Sequence, residues 1–190
     1  FDKRRQKLAF IIDRDGTMID EKNYVNSIKK IKFLKDFLFF FKQLKKFNPL
    51  IICITNQAGI SKGFITYKLI HKLHKFLNLK LQKKLKLNID AFYICPHFPE
   101  KGFKGEIKKY KIKCSCRKPQ SSLFKLANKN YSLNTAKVYN IGNNISDMVP
   151  GIKANIKNNI LVNRTLKNNI IINKDGYKEM NYFTLTNKFK

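Results

Sequence analysis

LAFIIDRDGT, residues 8–17, opens as an unbroken apolar run and ends in two acids, a glycine and a threonine. Five apolar residues in a row suit a parallel strand covered on both faces, since such a strand has no solvent side to alternate with. Sheets of that kind carry their ligands beyond the carboxyl ends of the strands, where Asp13 and Asp15 stand. Gly16 lets the backbone turn there. Two carboxylates this close repel unless a divalent cation lies between them, and an all-oxygen site suits magnesium. Asp13 is then expected to attack phosphorus as a nucleophile. Asp15, one residue on and off the line of attack, is expected to hand a proton to the leaving oxygen. Taken alone, the motif also fits an acidic strand-to-helix turn.

Composition narrows the setting. A chain of 190 residues is expected to be one domain with a sizeable core. Its formal charge of +28, from 40 basic against 12 acidic residues, invites a nucleic-acid or anionic-membrane partner. The lysines, however, run through the whole chain in company with Asn, Ile and Phe, whose codons are A/T-rich, so biased composition accounts for them. What remains is a field that attracts anionic substrates, phosphates included. Phe1 to Lys7 is charged and unlike a targeting segment, and no apolar run approaches the roughly 18 residues of a membrane span. A cytoplasmic monomer is expected, acting on a small phosphorylated molecule, with no membrane partner and no nucleic acid. Because the chain begins with Phe1, some sequence is expected to precede it.

Beyond the first strand, apolar runs alternate with helical patterns, the signature of βαβ units and a mainly parallel sheet. Residues 18–32 mix charges with Asn23, Tyr24, Val25 and Asn26 and read as a loop over the site. Leu34, Phe37, Leu38, Phe41 and Leu44 follow helical spacing up to Asn48-Pro49. LIICIT, residues 50–55, is a second buried strand ending in the polar turn Asn56-Gln57-Ala58-Gly59, with Cys53 as inert core. Thr66 is placed to cap a helix whose Leu69, Ile70, Leu73, Phe76, Leu77 and Leu81 form one stripe. His71 and His74 on that helix read as solvated residues, since no third metal ligand lies nearby in sequence. Further strands are expected at 91–95, 137–141 and, as the last, 160–162, with a helix near 122–129. From about residue 164 the Lys- and Asn-rich tail, with apolar pieces at 170–172 and 182–185, has no assignment.

Cys95-Pro-His97 and Cys114-Ser-Cys116 bracket a loop rich in Gly and Lys. Three thiolates and an imidazole are the ligand set of tetrahedral zinc, and with four protein ligands no coordination position stays open, so the zinc is expected to be structural. It would pin a segment, residues 95–116, that has too few apolar residues to stay ordered unaided. Arg117 and Lys118 follow at once, so the same ion would fix two cations against the charge of a phosphoryl group in transfer.

In order, D-x-D-G-T, a strand ending in Thr55, Lys118 and a G-x-x-x-x-D turn at 142–147 resemble the haloacid dehalogenase superfamily of aspartyl phosphatases, over nearly the whole chain. Within it, IIDRDGTMIDEKNYV (11–25), ITNQAGISKGF (54–64), YICPHFP (93–99), CRKP (116–119) and LVNRT (161–165) look like the D-glycero-D-manno-heptose 1,7-bisphosphate 7-phosphatase family, whose near relatives, the histidinol-phosphatases, share the zinc loop. The Tyr24-Val25 pair and AGISKG after the Asn-Gln favour the heptose family. The resemblance implies a three-layer, Rossmann-like α/β fold with a mainly parallel sheet, no large cap domain and a zinc-bound loop, all in one domain over 1–190. It implies removal of the 7-phosphate through an aspartyl-phosphate, with Asp13 as nucleophile, Asp15 as acid then base, and Thr55 and Lys118 on the phosphoryl oxygens. Magnesium would take Asp13, the carbonyl of Asp15 and Asn143, with Asp147 nearby. Glu21, Lys22, Asn23, Tyr24, Asn56, Gln57, Ala58 and Arg117 would shape the substrate pocket, and Cys95, His97, Cys114 and Cys116 would hold zinc. One departure stands out: the family has aspartate and lysine where this chain has Asn143 and Asn144, which weakens the expected magnesium site. Histidinol phosphate, a polynucleotide 3′-phosphate and an inactive relative are the alternatives; a zinc loop over the pocket argues against the polynucleotide.

Overall fold

The computed structural model describes residues 7–20 and 24–189. Its centre is a seven-stranded sheet in the order β3-β2-β1-β4-β5-β7-β6, with β1 Ala9–Ile12, β2 Leu50–Asn56, β3 Ala91–Cys95, β4 Val138–Gly142, β5 Asn158–Val162, β6 Ile171–Ile172 and β7 Lys178–Met180. Every pairing is parallel except that of β6 with β7. β1 lies between β2 and β4, with Ile12 level with both Cys53 and Ile141. All four of its residues are buried, as an apolar run flanked by helices on both faces requires. Successive side chains alternate between the two layers: Phe10 and Ile12 face one core with Phe37, Phe41 and Leu77, while Ala9 and Ile11 face another with Phe124 and Ala127.

Helices α1 Lys35–Leu44, α3 Tyr67–Leu85 and α6 Tyr182–Asn187 supply the first layer, and α4 Ser122–Tyr131 and α5 Ile145–Lys153 the second. A short α2, Ala58–Ser61, follows β2 directly. Thr66 caps α3 as expected, its hydroxyl oxygen accepting from the amide of Leu69 at 3.2 Å. The apolar stripe of α3 holds at Ile70, Leu73, Leu77 and Leu81. His74 departs from expectation: it lies in that stripe, 4% exposed, while His71 is exposed.

Residues 160–162 are not the last strand. β5 begins earlier, at Asn158, and the sheet continues into β7 and β6. β6 is only two isoleucines and β7 the three residues Lys178–Met180, too short to show a periodicity, which hid them. The tail closes with α6, whose Tyr182 and Leu185 are fully buried against the first layer, with Phe189 almost so. Asn181 caps it, accepting from the amide of Thr184 at 2.7 Å. The longest connection, residues 96–121, joins β3 to α4 and carries His97, Cys114 and Cys116, while Cys95 ends β3.

Candidate active site at the strand ends

The chain builds leftward from β1 through β2 to β3, then returns to place β4 on its other side, so the crevice between β1 and β4 is a topological switch point. There the ends of β1, β2 and β4 open into a cavity of about 620 Å³. Asp13, Asp15, Thr55, Lys118, Asn143 and Asp147 all line it, as do Tyr24, Asn56, Gln57, Ala58 and Arg117. Residues separated by more than a hundred positions thus meet, as the motif reading expects. Glu21, Lys22 and Asn23 lie outside the described residues.

Lys118 is the hub. Its ammonium donates to Asp13 Oδ1 at 2.6 Å, to Asp147 Oδ1 at 2.6 Å and to the Ile54 carbonyl at 3.0 Å. Its backbone is clamped by Asn56, whose Oδ1 accepts from the Lys118 amide at 3.0 Å and whose Nδ2 donates to the Lys118 carbonyl at 3.1 Å. Burial acts to lower the Lys118 pKa, but Asp13 and Asp147 outweigh it and hold the ammonium charged above its usual range. Burial pushes the Asp13 carboxyl up, to about 7, against the pull of Lys118, and Asp147 and Asp15 add to the rise. Three carboxylates line the cavity here around the single ammonium of Lys118, with Arg14 to one side, an acidic cluster that a divalent cation would suit, and the oxygens of Asp13 and Asn143 are hard ligands of the kind magnesium takes. Asn143 is oriented by Thr17, whose hydroxyl donates to Asn143 Oδ1 at 2.8 Å.

Asp147 is placed by local sequence. Asn144 and Asp147 form a capping box at the start of α5: Asn144 Oδ1 accepts from the Ser146 amide, and Asp147 Oδ2 from the Asn144 amide, each at 3.0 Å. Asp147 Oδ1 is thereby turned to Lys118. Gly142 is required beneath it, because a Cβ there would lie 2.3 Å from the Cβ of Asp147.

Asp15 is gripped from the side. Arg14 donates to both of its oxygens, Nε to Oδ1 at 3.0 Å and Nη2 to Oδ2 at 2.8 Å, and Gln57 Nε2 donates to Oδ2 at 2.8 Å. Gln57 Nε2 also donates to Thr55 Oγ1 at 2.8 Å. The motif reading passed over Arg14 as the variable residue between two acids. It also missed Arg164 and Tyr182, which hold the turn from behind: Arg164 Nη1 donates to the Gly16 carbonyl at 2.8 Å, and the Tyr182 hydroxyl to that of Thr17 at 3.2 Å. Arg164 sits in LVNRT, so the motif held a signal; Tyr182, in the unassigned tail, offered none.

The second cluster is Cys95, His97, Cys114 and Cys116, whose ligand atoms all lie within 4.8 Å of one another. All three cysteines are free thiols. The Sγ atoms stand 3.1 to 3.6 Å apart and His97 Nδ1 is 3.1 Å from Cys116 Sγ, a cluster slightly tighter than the roughly 3.8 Å edges of a tetrahedron with ~2.3 Å zinc–sulfur bonds. Burial pushes the Cys95 thiol well above its usual range, so a thiolate there calls for a cation. The donor set fits zinc.

The loop that carries these ligands reaches the cavity. Ser61, at the end of α2, donates through Oγ to the carbonyls of Phe98 and Tyr110 at 3.2 and 3.3 Å, and its own carbonyl accepts from Ile107 at 2.9 Å. Arg117 donates to the His97 carbonyl at 3.3 Å and lies over Phe98.

A parallel sheet with its carboxylates at this switch point is the fold of the haloacid dehalogenase-like phosphatases. A structure from Mesorhizobium loti assigned to that group matches with a TM-score of 0.79 at 18% identity, covering 95% of this chain and 83% of the other. The D,D-heptose 1,7-bisphosphate phosphatase of B. bronchiseptica, crystallised with magnesium and phosphate, matches with a TM-score of 0.76 at 21% identity, covering 95% of this chain and 96% of its own. In sequence, the chain is 32% identical over 156 residues to the D-glycero-β-D-manno-heptose-1,7-bisphosphate 7-phosphatase of Haemophilus ducreyi, which spans 82% of this chain and 83% of that protein. No family model matches the chain. On this similarity it belongs to the D-glycero-β-D-manno-heptose-1,7-bisphosphate 7-phosphatase family and is a phosphoric monoester hydrolase.

Proposed function

We propose that the protein removes the 7-phosphate of D-glycero-D-manno-heptose 1,7-bisphosphate, with magnesium, through an aspartyl-phosphate on Asp13. The observation that supports this most is Lys118 Nζ at 2.6 Å from Asp13 in the same cavity as Asp15 and Thr55. Asp13 attacks phosphorus and the bond from phosphorus to the sugar oxygen breaks. Asp15 gives that oxygen its proton, then takes one from the water that cleaves the acyl-phosphate and releases inorganic phosphate. Lys118 meets the phosphoryl oxygens with its charge. The Thr55 oxygen is already an acceptor from Gln57, which leaves its own proton for a phosphoryl oxygen. Asp13, the Asp15 carbonyl and Asn143 would hold magnesium, which would supply positive charge against the phosphoryl oxygens.

Tyr24, Asn56, Gln57, Ala58 and Arg117 shape the substrate pocket in this reading, together with Glu21, Lys22 and Asn23. Zinc on Cys95, His97, Cys114 and Cys116 is structural. The sheet runs on into the tail, which supports taking 1–190 as one phosphatase domain. A cytoplasmic monomer remains our reading; among the described residues no helix is long and apolar enough to cross a membrane.

The test is Asp13→Asn, which keeps the shape and removes the nucleophile. Phosphate release is expected to fall at least about a thousandfold with the fold intact, and acid quenching of the wild type with radiolabelled substrate is expected to leave label on the Asp13 peptide. Retained turnover, or label absent while turnover proceeds, contradicts the covalent route.

A further inference from the structure

Beneath the cavity lies a buried chain of polar contacts that the chemistry above does not use. Arg14 is 1% exposed, among the largest fully buried side chains of the molecule. A buried guanidinium is costly unless its donors are met. Nε and Nη2 are met by Asp15, and Nη2 also by Gln57 Oε1 at 2.9 Å. The remaining arm, Nη1, reaches across sixty positions to His74 Nε2 at 3.2 Å. A guanidinium only donates, so Nε2 is the acceptor and His74 is neutral, with its proton on Nδ1. Burial, then Arg14, pushes the His74 pKa down to about 3, in keeping with that state. Nδ1 itself is buried and has no hydrogen-bond partner among the described residues. The ring is therefore not placed for its own satisfaction, and such an unmet group asks for an explanation. Phe92 of β3 stacks flat on it, centroids 4.0 Å apart and planes within 13°, which fixes the ring's plane.

The choice of a neutral acceptor matters. A carboxylate at this place would meet Nη1 equally well but would draw the guanidinium away from Asp15. An imidazole meets the donor and adds no charge, so the charge of Arg14 stays directed at Asp15, whose side chain is 26% exposed at the cavity wall against 2% for Arg14.

We propose that Arg14 and His74 are positioning residues for Asp15, with His74 holding the guanidinium so that its fork sets the carboxylate where it meets the leaving oxygen of an alkyl phosphate. This rests on the reading of Asp15 as the group that exchanges the proton. It separates the two kinds of leaving group. A sugar alkoxide needs a proton as it departs; 4-nitrophenolate does not.

The experiment compares kcat/KM on heptose bisphosphate and on 4-nitrophenyl phosphate, full-length protein with magnesium, since kcat/KM reports the steps up to departure and omits acyl-phosphate hydrolysis. Asp15→Asn sets the scale and is expected to depress the sugar phosphate far more than the aryl phosphate. His74→Leu is expected to show the same split, with about a tenfold loss on the sugar phosphate and less than about twofold on the aryl phosphate, a part of the full effect of a general acid. His74→Gln, whose oxygen reaches the place of Nε2, is expected to restore the wild-type ratio. His74→Asn, which stops short, is not, and this pair decides the matter if His74→Leu does not fold. Equal losses on both substrates in the His74 variants, or none, while Asp15→Asn splits them, overturns the proposal. An Asp15→Asn variant that depresses both equally overturns the proton role of Asp15, and the role of His74 with it.

Discussion

Asn143 brings an amide oxygen where a carboxylate would bring charge, and it lines the same cavity as Asp13, whose carboxyl is pushed up by its partly buried surroundings. Thr17 donates to Asn143 Oδ1, and a carboxylate at 143 would keep that contact. Asn143→Asp is therefore expected to tighten magnesium binding about tenfold, or about 1.4 kcal/mol. Calorimetric titration of the substrate-free protein and the magnesium-induced rise in melting temperature both read it. Equal binding in the two proteins removes Asn143 from the ligand set and turns attention to Asp147. At this scale, motif residues were legible because their chemistry is carried by residue type: two acids at a strand end, a lysine after a cysteine pair. Arg14 and His74 were not legible in the same way. Their meaning lies in a contact between positions sixty apart, and a histidine in a lysine-rich helix reads as solvated until the packing is known.

The elements around the cavity divide into those held by apolar burial and one that is not. β1, β2 and α3 bury continuous apolar faces, and their periodicity is what made them readable. The 96–121 connection instead has His97, Cys114 and Cys116, clustered with Cys95 at the end of β3, and through Ser61 and Arg117 it is tied to α2 and the cavity wall. Cys114→Ser is expected to lose the metal and lower the melting temperature by about 5–10 °C. Activity is expected to fall with it, because Lys118 lies two residues beyond Cys116. Metal analysis with thermal melting checks this; one equivalent of zinc in both proteins and unchanged melting contradicts it. β6, β7 and α6 escaped the reading for a physical reason. Two of them are strands of two and three residues, too short for a period-two signal, and α6 has six residues. Its Tyr182 nonetheless holds the Thr17 carbonyl, so the tail belongs to the site's support.

Over the whole molecule, a charge of +28 and a cavity of about 620 Å³ lined by Lys118 and three aspartates suit different substrates. A general field raises the encounter rate of every anion and weakens with salt, while the pocket selects by shape and by groups held at fixed distances. Lys118 with its two carboxylates is of the second kind. The sequence already favoured the small phosphate ester over a polynucleotide, and the carboxylates gathered at the switch point are in keeping with that expectation. Comparing kcat/KM for D-glycero-D-manno-heptose 1,7-bisphosphate, histidinol phosphate and a 3′-phosphorylated oligonucleotide at physiological salt tests the account most directly. We expect the heptose bisphosphate to lead by at least about tenfold, or 1.4 kcal/mol in transition-state binding. Faster hydrolysis of the oligonucleotide or of histidinol phosphate, or no hydrolysis of the heptose bisphosphate, would contradict it.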